Sequence, residues 1–193
     1  MGYKALALTD ECSVAVVVRA YQHKKEHGLD IKLIIGNEFL LKPQQPEAQE
    51  SVVVLAKNRQ GYAQLCEFIS PARRQCEKGK YQVYGADFEP LSECLLICNP
   101  YPSNTSELGE SLTRQHKHRL WIGCHRRLSA LDQSLQRHCQ TIADAYDLPI
   151  VALGQVVMHS PDRQMLHDTL TAIRLGMPVV MLYKLTANIA CGH

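Results

Sequence analysis

The chain has 193 residues, 46% of them hydrophobic and 21% charged, with a formal net charge of +2. That length suits one domain with its own core, short beside the roughly 250 residues of a complete (β/α) barrel, and the composition excludes a disordered tail. The charge is too small to mark a nucleic-acid binder. No run of about 18 apolar residues offers a membrane span, so a soluble, cytoplasmic protein is expected.

In chain order, Ala5–Leu8 is a short apolar run ending in Thr9-Asp10-Glu11. Ser13 is a plausible N-cap for a helix carrying Val14, Val17, Val18 and Tyr21 at helical spacing, and Gly28 is its stop. A second strand, Lys32–Phe39, contains Gly36-Asn37-Glu38. The Pro- and Gln-rich residues 42–50 read as a loop before a strand over Ser51–Leu55. Asn58 caps the next helix, whose stripe is Tyr62, Leu65, Cys66 and Ile69, and Pro71 is expected to kink or end it for want of a backbone donor. Residues 77–91 read as irregular.

Leu95–Cys98 is a short buried strand, followed by a turn at residues 99–103 and a polar helix from about Thr105 to His116. Leu120–Cys124 is a further strand. Leu131, Leu135, Cys139, Ile142 and Tyr146 form the clearest helical stripe, and Pro149 restarts an extended run at Ile150. That last strand runs to Gly154-Gln155-Val156-Val157-Met158-His159, and a final helix from near Pro161 is expected to bury Met165, Leu166, Leu170 and Ile173. Strands alternating with helices predict an α/β fold with a mainly parallel sheet and no internal boundary. The eight cysteines include no Cys-x-x-Cys pair and mostly sit in apolar company, which reads as reduced, structural thiols.

In α/β barrels functional groups collect where strands stop, and three strands here end in polar groups. Those ends, with the segments Gly2–Ser13, Leu55–Tyr62, Leu65-Cys66-Glu67 and Leu166–Val179, resemble the PHP domain (polymerase and histidinol phosphatase) that opens the bacterial C-family DNA polymerase III α-type subunits, error-prone branch. The resemblance implies a PHP-type distorted (β/α) barrel similar to a TIM barrel. Residues 1–179 would be a partial PHP domain and residues 180–193 a divergent tail. The family's His-x-His strand lies upstream of the segment matched by Gly2, so the barrel is expected to be incomplete, its first strand missing. The palm and fingers, downstream in the family, are expected to be absent as well.

An intact PHP site holds several metal ions, zinc or manganese, on histidines and carboxylates and uses them to activate water. Carried over residue by residue, Asp10 falls on the family's second motif, where Glu11 replaces a histidine, and Glu38 matches the glutamate ligand. The final Asp-x-His corresponds to Gln155 and Val157; valine has no lone pair, and a neutral amide lacks the charge such clusters require. His159 follows two residues later, and Cys124 or His125 stands at another strand end. Asp10, Glu11, Glu38 and His159 are therefore relict metal candidates. Asp10 equally suits a helix cap, and His159 a capping or surface role. The i, i+4 pair His23 and His27 lies among charged neighbours and reads as solvated surface. The residues support no catalytic or cofactor-binding assignment, since no Gly-x-Ser-x-Gly elbow or phosphate-cradling glycine loop occurs.

The resemblance implies a non-catalytic scaffold belonging to an error-prone DNA polymerase. Its parent would carry out translesion synthesis by nucleotidyl transfer with magnesium on palm carboxylates, and no cofactor is expected in this chain. Expected partners are the remainder of that polymerase chain, DNA only through it, the sliding clamp and accessory mutagenesis proteins. The alternative is a free-standing metal-dependent phosphoesterase or 3′–5′ exonuclease on the same fold. A remnant with no activity of its own is compatible with the scaffold reading.

Overall fold

A computed structural model describes residues 2–41, 50–100, 107–126, 132–154, 156 and 158–182. Six strands form one sheet in sequence order: β1 (Ala5–Leu8), β2 (Lys32–Leu40), β3 (Ser51–Ala56), β4 (Cys94–Asn99), β5 (Leu120–His125) and β6 (Ile150–Leu153). Among the described residues five α-helices accompany them: α1 (Val16–Glu26), α2 (Arg59–Arg74), α3 (Glu107–His116), α4 (Asp132–Tyr146) and α5 (Gln164–Leu175). The predicted α/β class is the observed one. The sheet is less parallel than expected: β1 pairs with β2, and β4 with β5, in parallel, but β3 runs antiparallel to both of its neighbours.

Paired residues share a face of the sheet. The register therefore puts Asn37, Phe39, Val52, Val54, Leu96, Cys98, Leu120 and Ile122 on one side. These join Leu65, Ile69 and Ala72 of α2, Phe88, and Leu135 and Cys139 of α4 in the core. The opposite side carries Gly36, Glu38, Leu40, Ser51, Val53, Ile97 and Asn99, with Ser51 and Asn99 in the row Leu40–Ser51–Asn99 and Glu38 in the adjacent row Glu38–Val53–Ile97. Among the described residues seven cysteines are free, and Cys12, Cys94, Cys98 and Cys139 are buried, as the apolar company of most of them predicts.

Asn58 is the cap the sequence indicates, its side chain accepting the Gly61 N–H at 3.0 Å. Gly61 in turn allows α2 to press on the chain before β4, where a Cβ at 61 would stand 2.2 Å from the Glu93 carbonyl oxygen. Pro71 does not end α2, which runs on to Arg74. It lies inside the helix, whose last turn closes with Gln75 N–H on the Pro71 carbonyl, so the missing donor falls one turn before the end. Ser13 is not the cap of α1: the helix begins at Val16 after Ala15, and the Ser13 hydroxyl accepts the Ala15 N–H instead. No residue of α1 is buried, and Val18 and Tyr21 of its predicted stripe are exposed. The α4 stripe is as predicted, with Leu135, Cys139 and Ile142 buried; Leu131 lies outside the described residues.

The described residues fall into two compact units, residues 1–124 with 134–151, and residues 125–133 with 152–193. In the second, the Pro161–Arg163 turn leads into α5, which stops at a left-handed Gly176. Burial along α5 is the reverse of the expectation. Met165, Leu166, Leu170 and Ile173 are exposed, whereas Asp168 and Ala172 are buried, with Gln164 donating to Asp168 at 2.7 Å. Spacing identified the apolar face, but spacing alone does not say which face meets protein.

Candidate functional site at the ends of β1 and β2

The chain leaving β1 continues along β2 instead of turning away. Glu38 N–H donates to the Asp10 carbonyl at 3.2 Å, Cys12 N–H donates to the Glu38 carbonyl at 2.9 Å, and Glu11 and Glu38 form a parallel bridge. Two of the predicted carboxylates are thereby brought side by side. Asp10 is next to them and exposed; it does not cap a helix, because α1 starts six residues later. His159 is exposed in a bend of the second unit, before the turn at Pro161. Gln155 and Val157 lie outside the described residues, while Cys124 and His125 end β5, both half-buried.

Each of the two paired carboxylates is held by a hydroxyl. Tyr81 donates to Glu11 Oε1 at 3.0 Å and accepts the Leu40 N–H at 2.8 Å. Burial pushes the Tyr81 phenol well above its ordinary range, and the neighbouring Glu11 carboxylate adds to that shift. Ser51 donates to Glu38 Oε1 at 2.7 Å and accepts from Asn99 Nδ2 at 3.0 Å, which links β2, β3 and β4, diagonally on the β2 side. Asn99 is buried and its amide oxygen has no hydrogen-bond partner among the described residues.

The loop itself is gripped from α2. Arg73 donates Nε to the Cys12 carbonyl at 2.7 Å and Nη2 to the Glu11 carbonyl at 3.4 Å, and its guanidinium lies 5.9 Å from the Tyr81 ring centre. Cys12 is left-handed at φ 45°, unusual for a residue with a side chain. Burial raises its thiol, and the nearby Arg73 opposes the rise. Beneath the site Phe39 contacts Phe68, Tyr81 and Phe88 edge to face.

Among the described residues the donor set does not fit a multinuclear zinc or manganese centre. Among the described residues no three His, Cys, Asp or Glu side chains are grouped so as to hold a metal ion, and the Glu38 carboxylate is met by the Ser51 hydroxyl, itself bonded to the Asn99 amide nitrogen. Neither a neutral hydroxyl nor an amide nitrogen is the anionic or imidazole donor that such metals take. Sequence reading missed Ser51, Arg73, Tyr81 and Asn99. The Lys and Arg run from Arg73 to Lys80 and the irregular segment around Tyr81 carried no local signal for them.

Comparison with known proteins gives a consistent picture. The PHP domain family model matches residues 1–144. An error-prone DNA polymerase of Vibrio vulnificus is 46% identical over 94% of this chain, and one of Methylococcus capsulatus is 44% identical over 97%. The chain spans only 17% and 18% of the length of these curated relatives. Among solved structures, a provisionally assigned metal-dependent phosphoesterase of Bifidobacterium adolescentis superposes with a TM-score of 0.51 over 78% of this chain and 76% of its own, at 12% identity. That likeness is one of fold. Among the described residues no helix is long and apolar enough to cross a membrane.

Proposed function

Since the chain belongs to the PHP domain family, we propose that it is the PHP portion of an error-prone DNA polymerase and acts there as a scaffold without catalysis of its own. The observation that carries this reading is the 46% identity over nearly the whole chain, which covers only 17% of the relative's length. The site geometry supports the scaffold role. Glu11 and Glu38 are engaged by Tyr81 and Ser51, and Asp10 is left exposed, so no constellation for activating water is assembled among the described residues. In this role Asp10, Glu11, Glu38 and His159 are relict positions, and the chain needs neither the zinc or manganese of intact sites nor the magnesium of a polymerase palm.

The partners that follow are the rest of the polymerase chain and, through it, DNA, the sliding clamp and accessory mutagenesis proteins. The test is a chimaera in which residues 2–182 replace the matching segment of the Vibrio vulnificus polymerase, assayed for primer extension past a lesion. Retained extension supports the scaffold reading, and a folded chimaera that no longer extends primers overturns it. The competing assignment, a metal-dependent phosphoesterase or 3′–5′ exonuclease, has its own assay. Phosphodiester hydrolysis by the isolated chain with zinc or manganese, abolished by Glu38→Ala, would replace the scaffold with an enzyme.

A further inference from the structure

In a metal-binding mouth the ion draws carboxylates and loops together and fixes their orientation, with hydrogen bonds from a surrounding shell. Here four side chains with no assigned role supply contacts of that kind. Tyr81 ties Glu11 to the Leu40 N–H, Ser51 ties Glu38 to Asn99, and Arg73 holds the carbonyls of Glu11 and Cys12 while lying against the Tyr81 ring. The contacts reach from three separate parts of the chain: Arg73 of α2 and Tyr81 after it hold the Glu11–Cys12 loop, Tyr81 also meets β2 at Leu40, and the Ser51–Asn99 pair of β3 and β4 meets β2 at Glu38. They include a permanent cation, since a guanidinium does not lose its proton.

We infer that Arg73, Tyr81, Ser51 and Asn99 form an internal clamp that performs the positioning work of a metal ion, so that the Asp10–Cys12 loop and the Glu38 strand end keep their geometry with no divalent cation bound. All four are positioning residues. Arg73 is the central one, because it satisfies two consecutive carbonyls around the left-handed Cys12. The inference rests on the scaffold reading of this site.

The test uses the 193-residue chain and two readouts, its melting temperature and hydrogen exchange of the Cys12 amide, which closes onto the Glu38 carbonyl at 2.9 Å. Zinc, manganese and a chelator are each added in turn. The expected result is that none of them shifts either readout, while Arg73→Met speeds Cys12 exchange about tenfold or more, the scale of losing charge-assisted hydrogen bonds. Arg73→Lys, which keeps the charge without the planar fork, should fall between the two. Cys12 exchange slowed by stoichiometric zinc or manganese, a melting temperature lowered by the chelator, or unchanged exchange in a folded Arg73→Met chain would each overturn the inference. If Arg73→Met does not fold, the ion additions to the unaltered chain decide alone. Phosphodiester hydrolysis is measured on the same samples. Turnover without any ion-dependent shift would sink the scaffold reading and leave the clamp standing.

Discussion

The Ser51 hydroxyl stands 2.7 Å from Glu38 Oε1 and 3.0 Å from Asn99 Nδ2, so one small side chain at the start of β3 serves two neighbouring strands at once. Replacing it removes a donor and an acceptor together. Ser51→Ala leaves Glu38 without its hydroxyl and the buried Asn99 amide without a partner, a loss of about 1–3 kcal/mol on the scale of unsatisfied buried groups. Urea denaturation of the two chains measures this, and equal midpoints would remove the relay from the stability of the sheet.

Gly61 should resist the substitution that helix propensity favours. Alanine gains about 1 kcal/mol over glycine within a helix, but a Cβ here would stand 2.2 Å from the Glu93 backbone oxygen and 3.1 Å from its carbon. The backbone before β4 must shift to admit it. Gly61→Ala is expected to lose about 2 kcal/mol, the usual scale of overpacking, measured by chemical denaturation; a stabilised variant would mean that α2 moves freely on its sheet.

Burial raises the Glu50 carboxyl from 4.5 to about 7. Between those values the folded chain holds a proton that the unfolded chain has released, so unfolding free energy falls as pH rises from about 4.5 to 7 and levels off above. Glu50→Gln has no such proton and should flatten that part of the profile. Denaturation midpoints at several pH values across the window test both statements. An unaltered slope in the variant would assign the pH dependence to other groups.

Arg119 is buried and donates to the backbone carbonyls of Phe88, Leu91 and Cys94, with His116 Nδ1 at 3.1 Å. Burial and the guanidinium hold His116 below the ordinary histidine range, which suits a neutral ring beside a cation. Arg119→Met fills similar space but strands three carbonyls. We expect a loss of about 3 kcal/mol or more, read as a lower melting temperature, whereas a loss under about 0.5 kcal/mol would be that of an ordinary surface change.

What was legible in the sequence was local. The strand runs, the Asn58 cap and the Leu135–Cys139–Ile142 stripe each depend on neighbours within a few positions, and each is present. Glu11 and Glu38 were legible as separate candidates near strand ends, whereas the bridge that pairs them was not. What escaped was set by distance along the chain. Ser51 meets Asn99 across 48 positions and Tyr81 meets Glu11 across 70, and no periodicity encodes such contacts. The continuation of α2 past Pro71 and the buried face of α5 escaped for another reason. Proline is tolerated wherever its lost bond is cheap, and an apolar stripe states only that a face avoids water, without naming what covers it.

The reversed direction of β3 decides which of its residues can take part in the chemistry of the rim. A strand running with its neighbours would bring Ala56 to the row where β2 and β4 finish and send Ser51 to the far edge, five steps or roughly 17 Å away. Running the other way, β3 contributes its opening residue there. A single inversion of chain direction thus gives a strand's first residue the role usually left to its last, and any side chain placed at 51 inherits an address beside Glu38.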